Sequence, residues 1–474
     1  NEAYGYIGLA KDFIMYASVV ATVFNSVAGR FISIEINRGN IKRGNEYFSS
    51  VLIANIILSI IFAIAGMIVI FNITNLFSVT PDLVNDVKIT FAISFSNYIL
   101  TILISIFTVS AYVKNRIDAT AIRNTISYLI KLVFVLWLFT FFSPKMYFLA
   151  LATIASTLFL GIANINLTRK IMPEIVFKFN NFRFSMVKEL IASGGWLCIT
   201  NLSNVMLTGL DLLLANIFLG GNIMGLLSTG RTIPNAMGSL IGTIGVVFTP
   251  QFVIEYANNK KEEIVKSANY SIKIMGFIMA TPIIFLIVFG TNFYTLWLPT
   301  KNVDEITLIQ IISVLVLIQS ILNSMTMPLA QLSVVTNRLK IPVFVSLSLG
   351  LLNVGIVITL LKTTNIGVYA IAGVSSILLS IRYFFFNPMY AAYILGQKKN
   401  IFYKSLFRGI FLLTTILIIF VGIRNNINIS SWKQFIISAF TICCLGYLIS
   451  FLLLFSRGEQ ANLISIILLK IKHK

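Results

Sequence analysis

The sequence has little charge, one histidine and few cysteines, and each shortage excludes a class of chemistry. Of the 474 residues, 11% are charged, whereas soluble domains carry about 25%. The single histidine, His473, lies beside the C-terminus, so that zinc chemistry and Ser-His or Cys-His catalysis are not expected. The three cysteines, Cys198, Cys443 and Cys444, all lie in apolar runs. They therefore indicate neither a disulfide framework nor a metal cluster.

Long apolar runs dominate the chain instead. Apolar residues make up 57% of it, and runs of about 20 residues, each long enough to span a bilayer, recur from end to end. The pattern predicts an all-α polytopic membrane protein. Thirteen spans are predicted, at about 8–34, 50–74, 89–112, 122–142, 147–168, 190–218, 224–254, 271–296, 307–334, 342–361, 369–393, 405–423 and 434–455.

The basic residues predict the orientation of these spans. The chain has 36 Lys and Arg against 16 Asp and Glu, and most of the cations fall in one alternating set of loops. The opposite set holds only Lys88, Lys145, Lys301, Lys362, Arg424 and Lys433. The bias places the basic loops and the C-terminus in the cytoplasm, so the charge is a topology signal and nucleic acid is not an expected partner.

Thirteen spans then put the N-terminus outside. Because the sequence begins Asn1-Glu2-Ala3 without a methionine or a preceding apolar segment, we expect it to lack a first helix.

A charged pair marks the segment 201–235. Two apolar runs meet at Gly220-Gly221-Asn222, and Asp211 and Arg231 each lie ten residues from Gly221. In antiparallel helices both charges would lie roughly 10–15 Å below the turn. Charges at that depth are costly unless they are paired or hydrated, so they indicate a cavity or a relay.

An internal repeat relates the two halves of the chain. A shift of 220 positions places Gly5 on Gly225, Lys11 on Arg231 and Glu35 on Glu255. The matches predict two lobes of the same orientation, related by an axis along the membrane normal. The predicted domains are an N-terminal lobe (1–170, lacking its first helix), a cytoplasmic linker (171–189), a C-terminal lobe (190–395), and two extra helices with a cytoplasmic tail (396–474).

These features resemble the polysaccharide (Wzx-type) flippases of the MOP exporter superfamily. The opening EAYGYIGLAKDF is similar to the start of that family's second helix. The segment GLDLLLANIFLGGNIMGLLSTGRTI is similar to its seventh-helix Asp, short turn and eighth-helix Arg. The basic mid-chain loop and the two extra C-terminal helices also match.

The resemblance implies two six-helix lobes arranged as a V around a central cavity. It implies a bacterial, multi-pass cytoplasmic-membrane flippase for undecaprenyl-pyrophosphate-linked oligosaccharide, working by alternating access beside membrane lipids and other polysaccharide assembly proteins. No cofactor is implied, and the energy would come from substrate flux or from a coupling ion, H⁺ or Na⁺. The sequence contains no GxxxxGK[ST] phosphate-binding loop for ATP.

Such a cavity needs cations for pyrophosphate and hydrogen-bonding side chains for sugars. The candidate substrate-binding residues are Arg231, Lys11, Lys131, Arg382, Asn204 and Asn25, and Asp211 and Asp12 are candidates for ion coupling or ion pairing.

Each candidate also has a structural interpretation. Arg231 would neutralise Asp211, Lys11 would snorkel to the surface, and Arg382 would bond a carbonyl freed by Pro388. The asparagines would join helices.

Two other functional classes compete with this hypothesis. A lipid II flippase or multidrug exporter of the same superfamily is the first alternative, although a drug exporter would favour an acidic cavity. A membrane glycan polymerase is the second. Its chemistry needs a sizeable extramembrane loop, and the predicted outer loops are only about 5–13 residues long, so we expect a transporter and not an enzyme.

Overall fold

The computed structural model describes residues 2–114 and 116–461, and within these residues thirteen helices are long and apolar enough to cross a membrane. The predicted all-α, thirteen-span architecture is thereby confirmed. The helices are α1 (Glu2–Asn37), α2 (Ile41–Phe71), α3 (Pro81–Val113), α4 (Asp118–Phe141), α5 (Phe148–Ile171), α6 (Phe184–Leu219), α7 (Gly221–Ala257), α8 (Lys261–Trp297), α9 (Val303–Val335), α10 (Lys340–Thr363), α11 (Val368–Leu395), α12 (Tyr403–Arg424) and α13 (Trp432–Leu454).

Local sequence signals set several helix ends. The side chains of Asn40, Asn302 and Ser431 each accept a hydrogen bond from a backbone amide three residues later. These caps begin α2, α9 and α13, because they satisfy amides that have no partner within the helix. Between α6 and α7, Gly220 has a φ of 87°, which only glycine adopts readily. The predicted turn between the two halves of the charged segment is confirmed.

The ends of α1 and α7 support the 220-position repeat. Gly39 and Asn259, which the shift superimposes, have left-handed φ angles of 80° and 56°. The amide of the next residue donates to the Glu35 carbonyl oxygen at 2.9 Å after α1, and to the Glu255 carbonyl oxygen at 3.0 Å after α7. Both helices thus end in the same Schellman-type cap.

By backbone proximity the chain divides into two compact units. Unit 1 comprises Asn1–Ser228 and Val343–Ile358, and unit 2 comprises Thr229–Pro342 and Thr359–Lys474. The four domains drawn from the sequence follow the repeat instead, and they stay a prediction. The predicted C-terminal tail lies, from residue 462 onward, outside the described residues.

Unit 1 is built on the close approach of α1 to α6. A Cβ on Gly194 would collide with the carbonyl oxygen of Val23, and one on Gly5 would fall 2.9 Å from the backbone nitrogen of Gly225. Small residues let helix backbones approach in this way inside a membrane. Gly5 and Gly225 are also partners in the predicted repeat.

Unit 2 has a larger aromatic core around α8. Phe285 and Phe289 stack at 4.9 Å between ring centroids, and both are buried together with Phe402 and Phe420 from the last helices. An ion pair of 2.6 Å between Lys273 Nζ and Glu459 Oε1 ties α8 to the segment after α13. The C-terminal helices are therefore part of this core.

Candidate functional site

A cavity of about 140 Å³, lined by both apolar and polar side chains, lies among α1, α3, α4 and α5 of unit 1. Its lining residues are Ile7, Lys11, Ile14, Thr90, Ser94, Asn97, Lys131, Leu149, Ala150 and Thr153. On α1 and on α3 the lining positions follow the i, i+4, i+7 spacing of one helix face. The cavity is too small for an oligosaccharide, but it is large enough for one phosphate group.

Lys11 and Lys131 both line this cavity, so the structure brings together two cations that the sequence presented separately. Lys11 lies nine residues after the start of α1, and Lys131 lies ten residues before the end of α4. At 1.5 Å per residue both are about 14–15 Å from those helix ends. Within residues 2–114 and 116–461, neither ammonium group has a carboxylate partner.

The remaining polar groups of the cavity offer hydrogen bonds. The hydroxyls of Thr90 and Thr153 donate to backbone carbonyls of their own helices, each at 2.7 Å, which leaves their oxygens free to accept. The Oδ1 atom of Asn97 is buried without a hydrogen-bond partner in the described residues. Two ammonium groups attract an anion into a medium of low dielectric constant, and the amide and hydroxyl groups suit sugar hydroxyls.

Asp211 follows a π-helical turn, Val205–Gly209, that interrupts α6. Asp211 itself is buried. The Nδ2 atom of Asn353 on α10 donates to the carbonyl oxygens of Met206 and Leu207, both at 3.1 Å. π-helical turns are frequent at functional sites. In such a turn, some backbone carbonyls lack the hydrogen bond that a regular α-helix would give them. Here a side chain from a neighbouring helix satisfies two of them and fixes the turn beside Asp211.

Arg231 and Arg382 belong to unit 2, and each side chain is half-buried. The pairing of Arg231 with Asp211 stays a prediction. Arg382 opens a second π-helical turn, Arg382–Phe386, and its Nε atom is buried without a hydrogen-bond partner in the described part of the chain. The carbonyl of Phe384, four residues before Pro388, accepts from the hydroxyl of Tyr403 at 3.1 Å. That carbonyl is therefore satisfied without Arg382.

The asparagine candidates differ in their surroundings. Asn25 exchanges hydrogen bonds with Asn55 at 3.2 and 3.0 Å and accepts one from the Ser105 hydroxyl at 2.9 Å. It joins α1, α2 and α3, which is the helix-joining interpretation. Asn204 is exposed just before the π-helical turn of α6, and Asp12 is half-buried beside Lys11. A substrate or ion role for these three residues stays a prediction.

Sequence reasoning missed the polar face of α3. Thr90, Ser94 and Asn97 stand four and three residues apart within an apolar span, and that helical spacing could have identified them. The sequence marks Asn353 as a candidate helix–helix contact, but it did not predict the π-helical turn that this residue bonds, because no local pattern announces such a turn.

Comparison with solved structures identifies the class of fold. An inward-facing multidrug resistance MATE family transporter of the MOP superfamily aligns with 83% of this chain and 91% of its own, with a TM-score of 0.63 and 14% identity. The lipid II flippase MurJ, in an inward closed conformation, aligns with 94% of this chain and 96% of its own, with a TM-score of 0.59 and 15% identity. The chain thus shares the fold of these two proteins.

Comparison of sequences identifies the family. The model of the polysaccharide biosynthesis protein family matches residues 1–254, more than half of the chain. The uncharacterized membrane protein EpsK of Bacillus subtilis (strain 168) is 27% identical over 459 residues, which cover 97% of this chain and 90% of EpsK. The chain belongs to the polysaccharide biosynthesis protein family, and the family resemblance recognised in the sequence is confirmed.

Proposed function

We propose that this protein moves undecaprenyl-pyrophosphate-linked oligosaccharide across the bacterial cytoplasmic membrane by alternating access. The observation that carries the proposal is the unit 1 cavity, where Lys11 and Lys131 lie together without a carboxylate partner in the described residues. Family membership and the thirteen apolar helices support it. A pyrophosphate inside hydrocarbon needs fixed cations, because lipid cannot solvate its charge.

The proposed roles follow from the chemistry of each group. The two ammonium groups would hold a phosphate, while the Asn97 amide and the cavity hydroxyls would contact the adjoining sugar. Arg231 and Arg382 are proposed as further cations for the pyrophosphate, since the guanidinium fork binds phosphate in two places. Asp211 is proposed to bind the coupling H⁺ or Na⁺, because it is a buried carboxylate beside an interrupted helix.

In this proposal the protein transports its substrate without chemical change. The C-terminus is proposed to lie in the cytoplasm, which the excess of basic residues in one set of loops supports. Other polysaccharide assembly proteins are proposed partners, because a translocated repeat unit must be delivered and then polymerised.

Export of a lipid-linked glycan in cells that lack their own flippase tests the proposal. We expect Lys11→Met and Lys131→Met each to reduce export by about tenfold or more, since each removes a charge-assisted hydrogen bond to phosphate. Lys131→Arg should retain most export. Lys145→Met is the matched control, because Lys145 also belongs to unit 1 but pairs with Asp86 at 3.6 Å, outside the cavity.

The outcomes separate the competing functions. Full export by both Met variants, with normal membrane levels, would contradict a role for the cavity. Rescue of cells that lack a lipid II flippase, without glycan export, would assign the protein to lipid II. The roles of Arg231 and Asp211 are tested by measuring export with Arg231→Ala, Asp211→Asn and the double variant. If the double variant recovers export, the two residues form a structural pair. If export stays low, Arg231 contacts the substrate.

A further inference from the structure

The segment between α5 and α6, residues 172–183 and here named the strap, lies along α2 of unit 1. Asn45 on α2 donates to the carbonyl oxygen of Glu174 at 3.0 Å and accepts from the amide of Val176 at 2.8 Å. Near the end of the strap, the Ser50 hydroxyl accepts from the amide of Arg183 at 2.9 Å. Side chains of one helix thus hold the backbone of the strap at several points, so its outer face has a defined composition.

The carboxylates around the strap are all engaged within the protein. Glu174 pairs with Lys114 at 2.9 Å, and Glu46 pairs with Arg183 at 3.6 Å. Glu189 accepts a hydrogen bond of 2.6 Å from the hydroxyl of buried Tyr47. The neighbouring cations that remain exposed are Lys42, Arg43, Lys170, Lys178 and Lys188. Among the described residues, Lys42, Lys170, Lys178 and Lys188 have no carboxylate within 4.0 Å, so the face carries an excess of positive charge.

Large apolar side chains stand among these cations. Phe179 and Phe184 are each 70% exposed and Val176 is 47% exposed, whereas the neighbouring Phe177 packs inward against the unit 1 core. Because the strap joins two membrane-spanning helices, these side chains lie within reach of lipid headgroups. Exposed aromatics between basic residues are the composition of segments that rest in the membrane interface.

We propose that the strap, together with the start of α6, is a binding surface for anionic phospholipid headgroups. Phe179 and Phe184 enter the interfacial layer, and Lys178 and Lys188 contact lipid phosphates. Charge complementarity selects this occupant, since each basic residue near an anionic surface strengthens binding about fivefold. The strap differs in position and ligand from the unit 1 cavity, and the proposal does not depend on which molecule the protein transports.

Fluorescence quenching at position 179 tests the proposal. Phe179→Cys is introduced after Cys198, Cys443 and Cys444 are changed to Ala, and the new thiol is labelled with bimane. The full chain is reconstituted in phosphatidylcholine vesicles, with or without about one-third phosphatidylglycerol, together with a headgroup-level nitroxide lipid. We expect quenching to be at least about twofold greater with the anionic lipid, and to fall back in about 0.5 M salt, which screens the charges.

Two further variants keep the result decisive. Lys178→Gln with Lys188→Gln should abolish the gain in quenching, while Lys178→Arg with Lys188→Arg should keep it. Val303→Cys is the matched control, because Val303 is 78% exposed but is followed by Asp304 and Glu305, so anionic lipid should not increase its quenching. Equal quenching at position 179 in both vesicle types would overturn the proposal. A gain that survives the double Gln variant, or disulfide-linked dimers through position 179, would also overturn it.

Discussion

The two units stabilise interrupted helices by different means. In unit 1 the interruption is the π-helical turn of α6, whose carbonyls accept from the Asn353 amide and, at Gly209, from the hydroxyl of Tyr16 at 2.6 Å. In unit 2 the interruptions include prolines inside helices, and tyrosines bond the carbonyls that Pro234, Pro282 and Pro388 leave open.

The tyrosine arrangement recurs three times. A proline has no amide hydrogen, so the carbonyl four residues earlier loses its helical partner. The hydroxyl of Tyr447 donates to Ile278 O at 3.1 Å, four residues before Pro282, and Tyr403 does the same for Pro388. Tyr294 donates to Gly230 O, four residues before Pro234, at a longer 3.5 Å. Each bond crosses to another helix, so it joins two helices of unit 2 where one of them is broken.

The comparison shows where a close backbone contact and where side-chain bridges join the helices. Gly194 brings α1 and α6 of unit 1 backbone to backbone, whereas tyrosines bridge helices of unit 2 at three prolines, beside a core of buried aromatic side chains. Substitutions at Gly194 and at these three tyrosines should therefore act on different units.

The largest effect is expected at the glycine contact of unit 1. Gly194→Ala should destabilise the protein by about 3 kcal/mol, because the new Cβ meets the backbone of α1 and not a side chain that can move. Gly195→Ala is the control, since a Cβ there has no heavy atom within 4 Å. Denaturant unfolding in detergent measures both, and equal stability of the two variants would contradict the close-contact interpretation.

A smaller loss is expected at the π-helical turn. Asn353→Leu leaves the buried carbonyls of Met206 and Leu207 without their side-chain donor, at a cost of about 2 kcal/mol. Asn426→Leu should cost less than about 0.5 kcal/mol, because the exposed side chain of Asn426, just after α12, bonds only the nearby carbonyl of Gly422. Thermal unfolding followed by tryptophan fluorescence compares the two, and an unchanged midpoint for Asn353→Leu would count against the role of this amide.

The tyrosine bridges should each contribute about 1 kcal/mol. Tyr447→Phe should lose that amount, but in a Pro282→Ala background it should lose little, because alanine restores the amide that pairs with Ile278. A double-mutant cycle by chemical unfolding isolates the coupling. Tyr294→Phe should show a smaller effect, as its bond is longer. Additive losses at Tyr447 and Pro282 would show that the hydroxyl and the proline act separately.

The smallest effect is expected from pH at the strap. Burial acts to raise the pKa of Glu174, but hydrogen bonds from its own backbone and from Lys114, with the charge of that lysine, outweigh it and lower the pKa. The carboxylate therefore stabilises the strap at neutral pH, and this contribution is lost as pH falls through the lowered pKa. Cleavage in residues 172–183 by an acid-stable protease should therefore rise only as pH falls below about 4.3, the ordinary glutamate value. Glu174→Gln should remove the pH dependence of cleavage. If the variant shows the same pH dependence as the parent, a group other than Glu174 is responsible.

Several parts of this architecture could be predicted because local sequence controls them. Apolar runs are long enough to cross a membrane whatever packs against them, so all thirteen spans were predicted. The turn at Gly220 and the 220-position repeat also follow from sequence, since glycine tolerates the required φ and Gly39 and Asn259 end their helices alike.

The candidate site was predictable only in part. Lys11 and Lys131 stand out as cations in apolar spans, but no sequence pattern says that α1 and α4 border one cavity. For Asn25, by contrast, the sequence could not decide between two roles. Its amide is equally suited to a sugar or to another helix, and only the packing of α1 on α2 and α3 gives it Asn55 and Ser105 as partners.

Sequence alone thus determined the membrane class, the number of spans, the family resemblance and the charged residues available to a transport site. Those properties depend on hydrophobicity and backbone propensity, which each residue carries wherever it lies. Tertiary structure decided which cations meet, which helix supplies the amide for a π-helical turn, and which tyrosine reaches the carbonyl before each proline. These depend on contacts between residues far apart in sequence, and such contacts exist only once the helices have packed.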